Sequence, residues 1–191
     1  LTPVVADGEV DNEGSAHYSQ SMGFYDETAA ALTAAQAYAA DENCVAERDD
    51  ALVDVFRLWE EAMFARGTYY GGAPVRATLD PTDAETVLGP LHGLTEGLGL
   101  ILGLRGIADP AAGPLAEGAR ISTDADIDKA MAALGVNIED ISAGTTGTWL
   151  VEDPSTYNDG FNGDFKSVGQ TVFGWTDAEF TEFSTNPVPT E

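Results

Sequence analysis

The stretch AERDDALVDVFRLWEEAMFARGTY, residues 46–69, decides the fold class of this chain. Its apolar residues recur at steps of three and four, which is the period of one face of an α-helix. Acidic residues lie on the opposite face, and a glycine pair with a nearby proline follows. The pattern predicts a long amphipathic helix whose apolar stripe holds Leu52, Val53, Phe56, Trp59, Met63 and Arg66.

Shorter helical patterns lie on both sides of this stretch. Residues 21–40 are rich in alanine, with apolar residues at helical spacing. A capping box at 82–85 predicts another helix, which Gly89-Pro90 should interrupt, so that a new helical segment runs over 91–107. Thr123 should begin a short helix that Gly135 stops.

These elements predict a mainly α protein with three parts. Residues 1–16 read as an acidic irregular arm, and residues 17–144 as an antiparallel helical bundle. Residues 145–191 are rich in aromatics, glycine and asparagine and lack a helical period, so we expect a long irregular segment packed on the bundle. Short strands are predicted there at 146–151 and 170–173, and a capped helical turn is predicted at 176–183.

Composition excludes several classes of protein. The chain has 33 acidic and 8 basic residues, a net charge of −25, which repels nucleic acid and anionic lipid surfaces. Its 43% hydrophobic content excludes a disordered acidic tail. No apolar run is long and clean enough for a transmembrane helix. The charge fits either a secreted protein of a salty environment or dedicated capture of cations. The chain begins with leucine, from which we expect an exported protein whose signal has been removed.

One histidine and one glutamate stand inside the apolar, glycine-rich stretch LGPLHGLTEGLGLILGL, residues 88–104, where burial would penalise both. His92 and Glu96 are four residues apart, so their side chains share one helix face and can reach one metal ion. Neighbouring helices must supply the other ligands, and Glu60 is the expected donor. Zinc, iron or manganese would suit such a site. The alternative is that His92 and Glu96 only hydrogen-bond each other or cap the backbone.

Two further clusters carry the alternating oxygen donors and glycines of a calcium loop. One lies in the arm at residues 7–13, and the other in DPSTYNDGFNGDF, residues 153–165. Neither keeps the order of an EF-hand, and ordinary turn formation explains the same residues. The possible calcium ligands of the second cluster are Asp153, Asn158, Asp159, Asn162 and Asp164.

Three stretches of the chain resemble a known family. HGLTEGLGLILGLRGI, residues 92–107, resembles the "HALSEG" block of an uncharacterised family of secreted bacterial lipoproteins, which are loosely similar to imelysin-like helical proteins. HYSQSMGFY, residues 17–25, is similar to the family's "HWDEAFGYF", although Ser19 and Gln20 replace its acidic pair. The segment WEEAMFARGTYYGG, residues 59–72, is also similar to a helix of the family.

The resemblance implies an exported helical protein that spans only the C-terminal half of the family's members. It also implies that His17, His92 and Glu96 line a shared pocket. We therefore expect a binding protein for a metal ion or a small metal-associated ligand. The alternative is a structural subunit of an extracellular assembly, in which the terminal segments contact other protein subunits. A hydrolase that uses Glu96 as a general acid or base is a third hypothesis.

Overall fold

The computed structural model describes five stretches of the chain, residues 27–41, 43–72, 84–106, 120–136 and 154–185. Helix α1 covers residues 27–39. The helices that follow are α2 (Val45–Gly71), α3 (Ala84–Gly103, continued by a 3-10 turn at Leu104–Gly106), α4 (Asp124–Ala133), α5 (residues 154–172) and α6 (Asp177–Thr185). Within α5, the turn Phe161–Phe165 is π-helical.

The mainly α class is confirmed, but the predicted strands are not found among the described residues. Residues 170–173, expected as a strand, form the end of α5 and the bend that follows it. The other predicted strand, 146–151, and the arm, 1–16, lie outside the described residues. The C-terminal segment that was predicted to be irregular is thus helical over most of 154–185. Its aromatic side chains pack in the core, although the sequence there has no helical period.

Local signals set the ends of α4 and α6. The Thr123 hydroxyl accepts the N–H of Asp126, and the Asp126 carboxylate accepts the N–H of Thr123, a complete capping box. Thr176 and Glu179 make the same reciprocal pair before α6. After α4 the chain reaches Gly135 at φ 77°, a left-handed conformation that glycine adopts without steric penalty.

The predicted interruption at Gly89-Pro90 is wrong. Helix α3 runs without a break from Ala84 to Gly103, and Pro90 is its seventh residue. A proline inside a helix removes one backbone hydrogen bond, which the remaining ladder of this 20-residue helix tolerates. His92 and Glu96 therefore stand on a helix that begins earlier than expected.

Helices α2 and α3 pack antiparallel at short range because glycines line their contact. A Cβ atom added to Gly67 would come within 2.5 Å of Ile101 Cδ1. One added to Gly97 would lie 3.0 Å from Tyr70 Cβ, and one added to Gly103 would lie 3.3 Å from Met63 Cε. This pairing places the C-terminal end of α2 beside the middle of α3.

The core is an aromatic stack between α2 and the C-terminal helices. The Phe64 ring lies 4.9 Å from Phe165, 5.0 Å from Phe173 and 5.5 Å from Trp175, measured between ring centroids. The Tyr157 hydroxyl donates a buried hydrogen bond of 2.6 Å to the Gly71 carbonyl. These contacts hold α5 and α6 against α2, so most of the described aromatics of the C-terminal segment are core residues.

The buried face of α2 differs from the predicted stripe. Leu58, Phe64 and Ala65 are buried, whereas Trp59 is 52% exposed. Counting apolar residues alone misplaces the face because both α3 and α6 pack on this long helix. In the described part of the chain, no helix is both long and apolar enough to cross a membrane.

Candidate functional site

His92 and Glu96 lie one turn apart on the solvent side of α3. The distance between His92 Nε2 and Glu96 Oε1 is 3.0 Å, and the two side chains are 75% and 40% exposed. The burial that the apolar run predicts for them is therefore wrong. Leu94, midway between them in sequence, is buried. Because two positions along a helix rotate a side chain by roughly 200°, His92 and Glu96 face solvent.

An open cavity of about 400 Å³ adjoins Glu96. Residues of both α2 and α3 line it: Arg66, Tyr70, Glu96, Gly99 and Leu100. A Cβ atom on Gly99 would meet no other atom within 4 Å, so this glycine leaves the mouth of the cavity clear. The site thus combines the exposed His92–Glu96 pair with an open cavity whose lining carries both charges.

Tyr70 connects the two helices at this site. Burial raises the pKa of the Tyr70 phenol above its usual 10.0, and a hydrogen bond to Glu96 raises it further. The Arg66 guanidinium opposes this shift in the pKa. At neutral pH the phenol is therefore protonated and donates its hydrogen to the Glu96 carboxylate. Glu96 therefore contacts both His92 on its own helix and Tyr70 on α2.

Arg66 is held in place by two tyrosine rings. Its Cζ atom lies 4.5 Å from the centroid of Tyr69 and 4.3 Å from that of Tyr70, distances of cation–π contacts. The rings lie 5.3 Å apart. The planar guanidinium is consequently held in position, and it lines the same cavity as the Glu96 carboxylate.

Glu60 points inward, but it does not approach His92 or Glu96. Its oxygens accept the backbone N–H groups of Ile121, at 2.7 Å, and Ser122, at 2.8 Å. In the antiparallel pairing, Glu60 lies level with the C-terminal end of α3, whereas His92 is near its middle. At a rise of about 1.5 Å per residue, the two are separated by roughly 15 Å along the helix axis. The expected fourth donor is instead a structural group.

The other predicted ligands are placed as follows. His17, the arm at residues 7–13 and Asp153 lie outside the described residues. The remaining residues of the possible calcium loop are on helix α5, not in a loop: Asn158, Asp159, Asn162 and Asp164. Asp164 forms an ion pair of 3.4 Å with Lys129, and Asn162 donates to the Asn158 carbonyl at 2.8 Å.

Within the described stretches, no three histidine, cysteine, aspartate or glutamate side chains come together as a metal-holding group. Arg66 and Tyr70 were not predicted as site residues from the sequence. The sequence feature that could have indicated them is their four-residue spacing. It places both side chains on the face of α2 toward α3, beside a second aromatic residue, Tyr69.

Comparison with known proteins gives no relative from which a function could be transferred: no family model, curated protein or solved structure matches the chain. The function is therefore inferred from the residues and geometry of the site.

Proposed function

We propose that this chain is an exported, non-enzymatic binding protein for a metal ion or a small metal-associated ligand. His92 and Glu96 are the direct donors, and His17 is a third donor by the family resemblance. The observation that carries the proposal is the exposed His92–Glu96 pair, 3.0 Å apart, beside an open cavity of about 400 Å³.

The chemistry of the pair supports this function. An imidazole and a carboxylate together suit zinc, iron or manganese, and both side chains are accessible from solvent. The Tyr70 hydroxyl, by donating to Glu96, acts as the kind of outer partner that orients a ligating carboxylate. The net charge of −25 raises the local concentration of cations around the whole protein.

Zinc titration followed by calorimetry tests the proposal. We expect stoichiometric binding to the wild-type protein, weakened by about tenfold or more in both His92→Ala and Glu96→Gln, because each substitution removes a direct donor. Glu47→Gln is the matched control, since it removes one carboxylate from the exposed start of α2. His17→Ala tests the third donor.

Two results would contradict the proposal. Equal binding by wild type, His92→Ala and Glu96→Gln would show that zinc collects on the acidic surface without using the pair. No saturable binding of zinc, iron(II) or manganese to the wild-type protein would remove the metal function altogether.

A second candidate function is that of a subunit in an extracellular assembly. Four large apolar side chains of α1 and α2 are exposed and available to contact another protein: Leu32, Tyr38, Val45 and Trp59. Sedimentation at rising protein concentration tests it, with Trp59→Ser expected to reduce association. A monomer at every concentration, in low and high salt, would rule out self-assembly.

A further inference from the structure

We infer that the ligand of this site is a metal ion already held by a small carboxylate chelator, with the metal at His92 and Glu96 and a carboxylate of the chelator at Arg66. This inference rests on the proposed function and names the class of its ligand. Three features of the site lead to it: the size of the cavity, the number of protein donors and the position of Arg66.

The cavity is much larger than a bare ion needs. Its volume of about 400 Å³ lies within the range of pockets that hold small organic molecules, roughly 300–1,000 Å³. A single water molecule fits in a space of roughly 10–15 Å³ by the same kind of measure. A metal ion alone would leave most of this hollow filled with solvent.

The described donors do not fill the coordination of a metal ion, so a bare ion bound there would keep water ligands that a chelator can replace. Zinc takes about four ligands in proteins, and His92 and Glu96 provide two. No third carboxylate, imidazole or thiol of the described residues joins them as a metal-holding group. A chelator that contributes two oxygens of its own would complete the coordination of the metal.

Arg66 supplies the complementary charge. The guanidinium is a rigid fork of five N–H donors, which pairs with a carboxylate through two parallel hydrogen bonds. Its contacts with the rings of Tyr69 and Tyr70 fix its position in the lining that it shares with Glu96. A ligand that presents both a cation and a carboxylate matches these two charges.

The rest of the lining suits the body of such a chelator. Leu100 provides an apolar surface for a short carbon skeleton, and Gly99 leaves the entrance open. Because a side chain at position 99 would meet no other atom within 4 Å, a leucine there can fill the mouth of the cavity without disturbing the fold.

Calorimetric titration with three probes tests the inference: zinc chloride, sodium citrate and an equimolar zinc–citrate complex. We expect zinc–citrate to bind more tightly than either component. Arg66→Gln and Gly99→Leu should each weaken zinc–citrate binding by about tenfold or more, since a charge-assisted hydrogen bond contributes about that factor. The readout is the ratio of zinc–citrate affinity to zinc chloride affinity within each variant, which both substitutions should lower. Arg48→Gln, an arginine of α2 that pairs with Asp49 outside the cavity, is the matched control.

The outcomes separate the two proposals. If zinc chloride binds as tightly as zinc–citrate and neither Arg66→Gln nor Gly99→Leu matters, the chelate inference fails while the metal function stands. If citrate alone binds as well as the complex, or if His92→Ala leaves zinc–citrate binding unchanged, the chelate inference fails, and the metal function is decided by the binding of zinc chloride to the wild type and to His92→Ala. Absence of binding for all three probes overturns the chelate inference, and it overturns the metal function as well if iron(II) and manganese also fail to bind.

Discussion

The buried carboxylate of Glu60, on α2, accepts a hydrogen bond from the backbone N–H of Ile121, 61 residues later in the chain, at 2.7 Å. Its side chain is 0% exposed, and its second oxygen accepts the neighbouring N–H of Ser122. These amides directly precede α4, where a negative charge is favoured by the orientation of the helix dipole. One carboxylate therefore satisfies two buried donors and fixes the entry of the chain into α4.

We predict that Glu60→Gln lowers the free energy of unfolding by about 2–4 kcal/mol. Glutamine keeps one acceptor oxygen, but its NH2 group then faces a backbone N–H, so one buried donor loses its partner as well as the favourable charge. Urea unfolding followed by circular dichroism measures the change. Glu47→Gln, on the exposed start of α2, should change stability by less than about 0.5 kcal/mol. Equal effects of the two substitutions would contradict the structural role assigned to Glu60.

The raised pKa of Glu61 should make the stability of the protein depend on pH. Burial raises the pKa of its carboxyl above the usual 4.5, and the charges of Glu27 and Glu179 add to this. The hydrogen bond from Trp175, 2.8 Å long, and the charge of Arg57 act to lower the pKa. The folded protein thus holds this proton more tightly than the unfolded chain does. The contribution of Glu61 to stability is complete below pH 4.5 and is lost as pH rises through the folded-state pKa.

Glu61→Gln should therefore be more stable than the wild type at pH 7, by about 0.5–1 kcal/mol. Its amide oxygen still accepts from Trp175, while the unfavourable charge is gone. The difference between the two proteins should shrink as pH falls toward 4.5. Thermal unfolding across this range measures it. A difference that stays constant with pH, or one that favours the wild type at pH 7, would refute the assignment.

Alanine substitutions at two glycines of α5 should change the stability of the protein in opposite directions. A Cβ atom on Gly160 would clash with the backbone carbonyl of Ala133 on α4, whereas one on Gly163 would meet no atom within 4 Å. We expect Gly160→Ala to destabilise the protein by about 2–4 kcal/mol, because a backbone group must move. Gly163→Ala should stabilise it by up to about 1 kcal/mol through helix propensity. The midpoints of urea unfolding of the two variants test this prediction. Similar midpoints would mean that α4 and α5 are not in close contact.

Local signals predicted much of the fold from the sequence. The caps at Thr123 and Thr176 are formed by residues three apart, so they depend on little else and were found correctly. Helix α5 was missed because its aromatic residues face a core made by distant parts of the chain. Phe161 and Phe165 show this, since they are the first and last residues of a π-helical turn that ordinary helical spacing does not describe.

The candidate site was predicted only in part for a related reason. The i, i+4 relation of His92 and Glu96 is a local property of one helix, and the structure places them in contact. Which face of α3 is buried depends on Gly67 and Gly97, whose close approach was not evident from either helix alone. The same contact brings Tyr70 and Arg66 to Glu96, so half of the site arises from packing.

The phenol of Tyr70 provides the most direct test of that arrangement. Burial and the Glu96 carboxylate raise its pKa above 10.0, and Arg66 lowers it. Glu96→Gln should therefore lower the pKa of Tyr70 toward 10.0, because the negative charge that disfavours the phenolate is removed. Arg66→Gln should raise it further. Absorbance of tyrosinate against pH, as a difference from Tyr70→Phe, isolates this residue among the six tyrosines.

The opposite signs make this prediction specific to the site. A general loosening of the contact between α2 and α3 would admit water and lower the pKa of Tyr70 in both variants, since burial is the largest cause of its shift. Arg48→Gln, remote from the cavity, should leave the titration unchanged. If Glu96→Gln and Arg66→Gln moved the pKa of Tyr70 in the same direction, the Glu96–Tyr70–Arg66 arrangement would have to be abandoned.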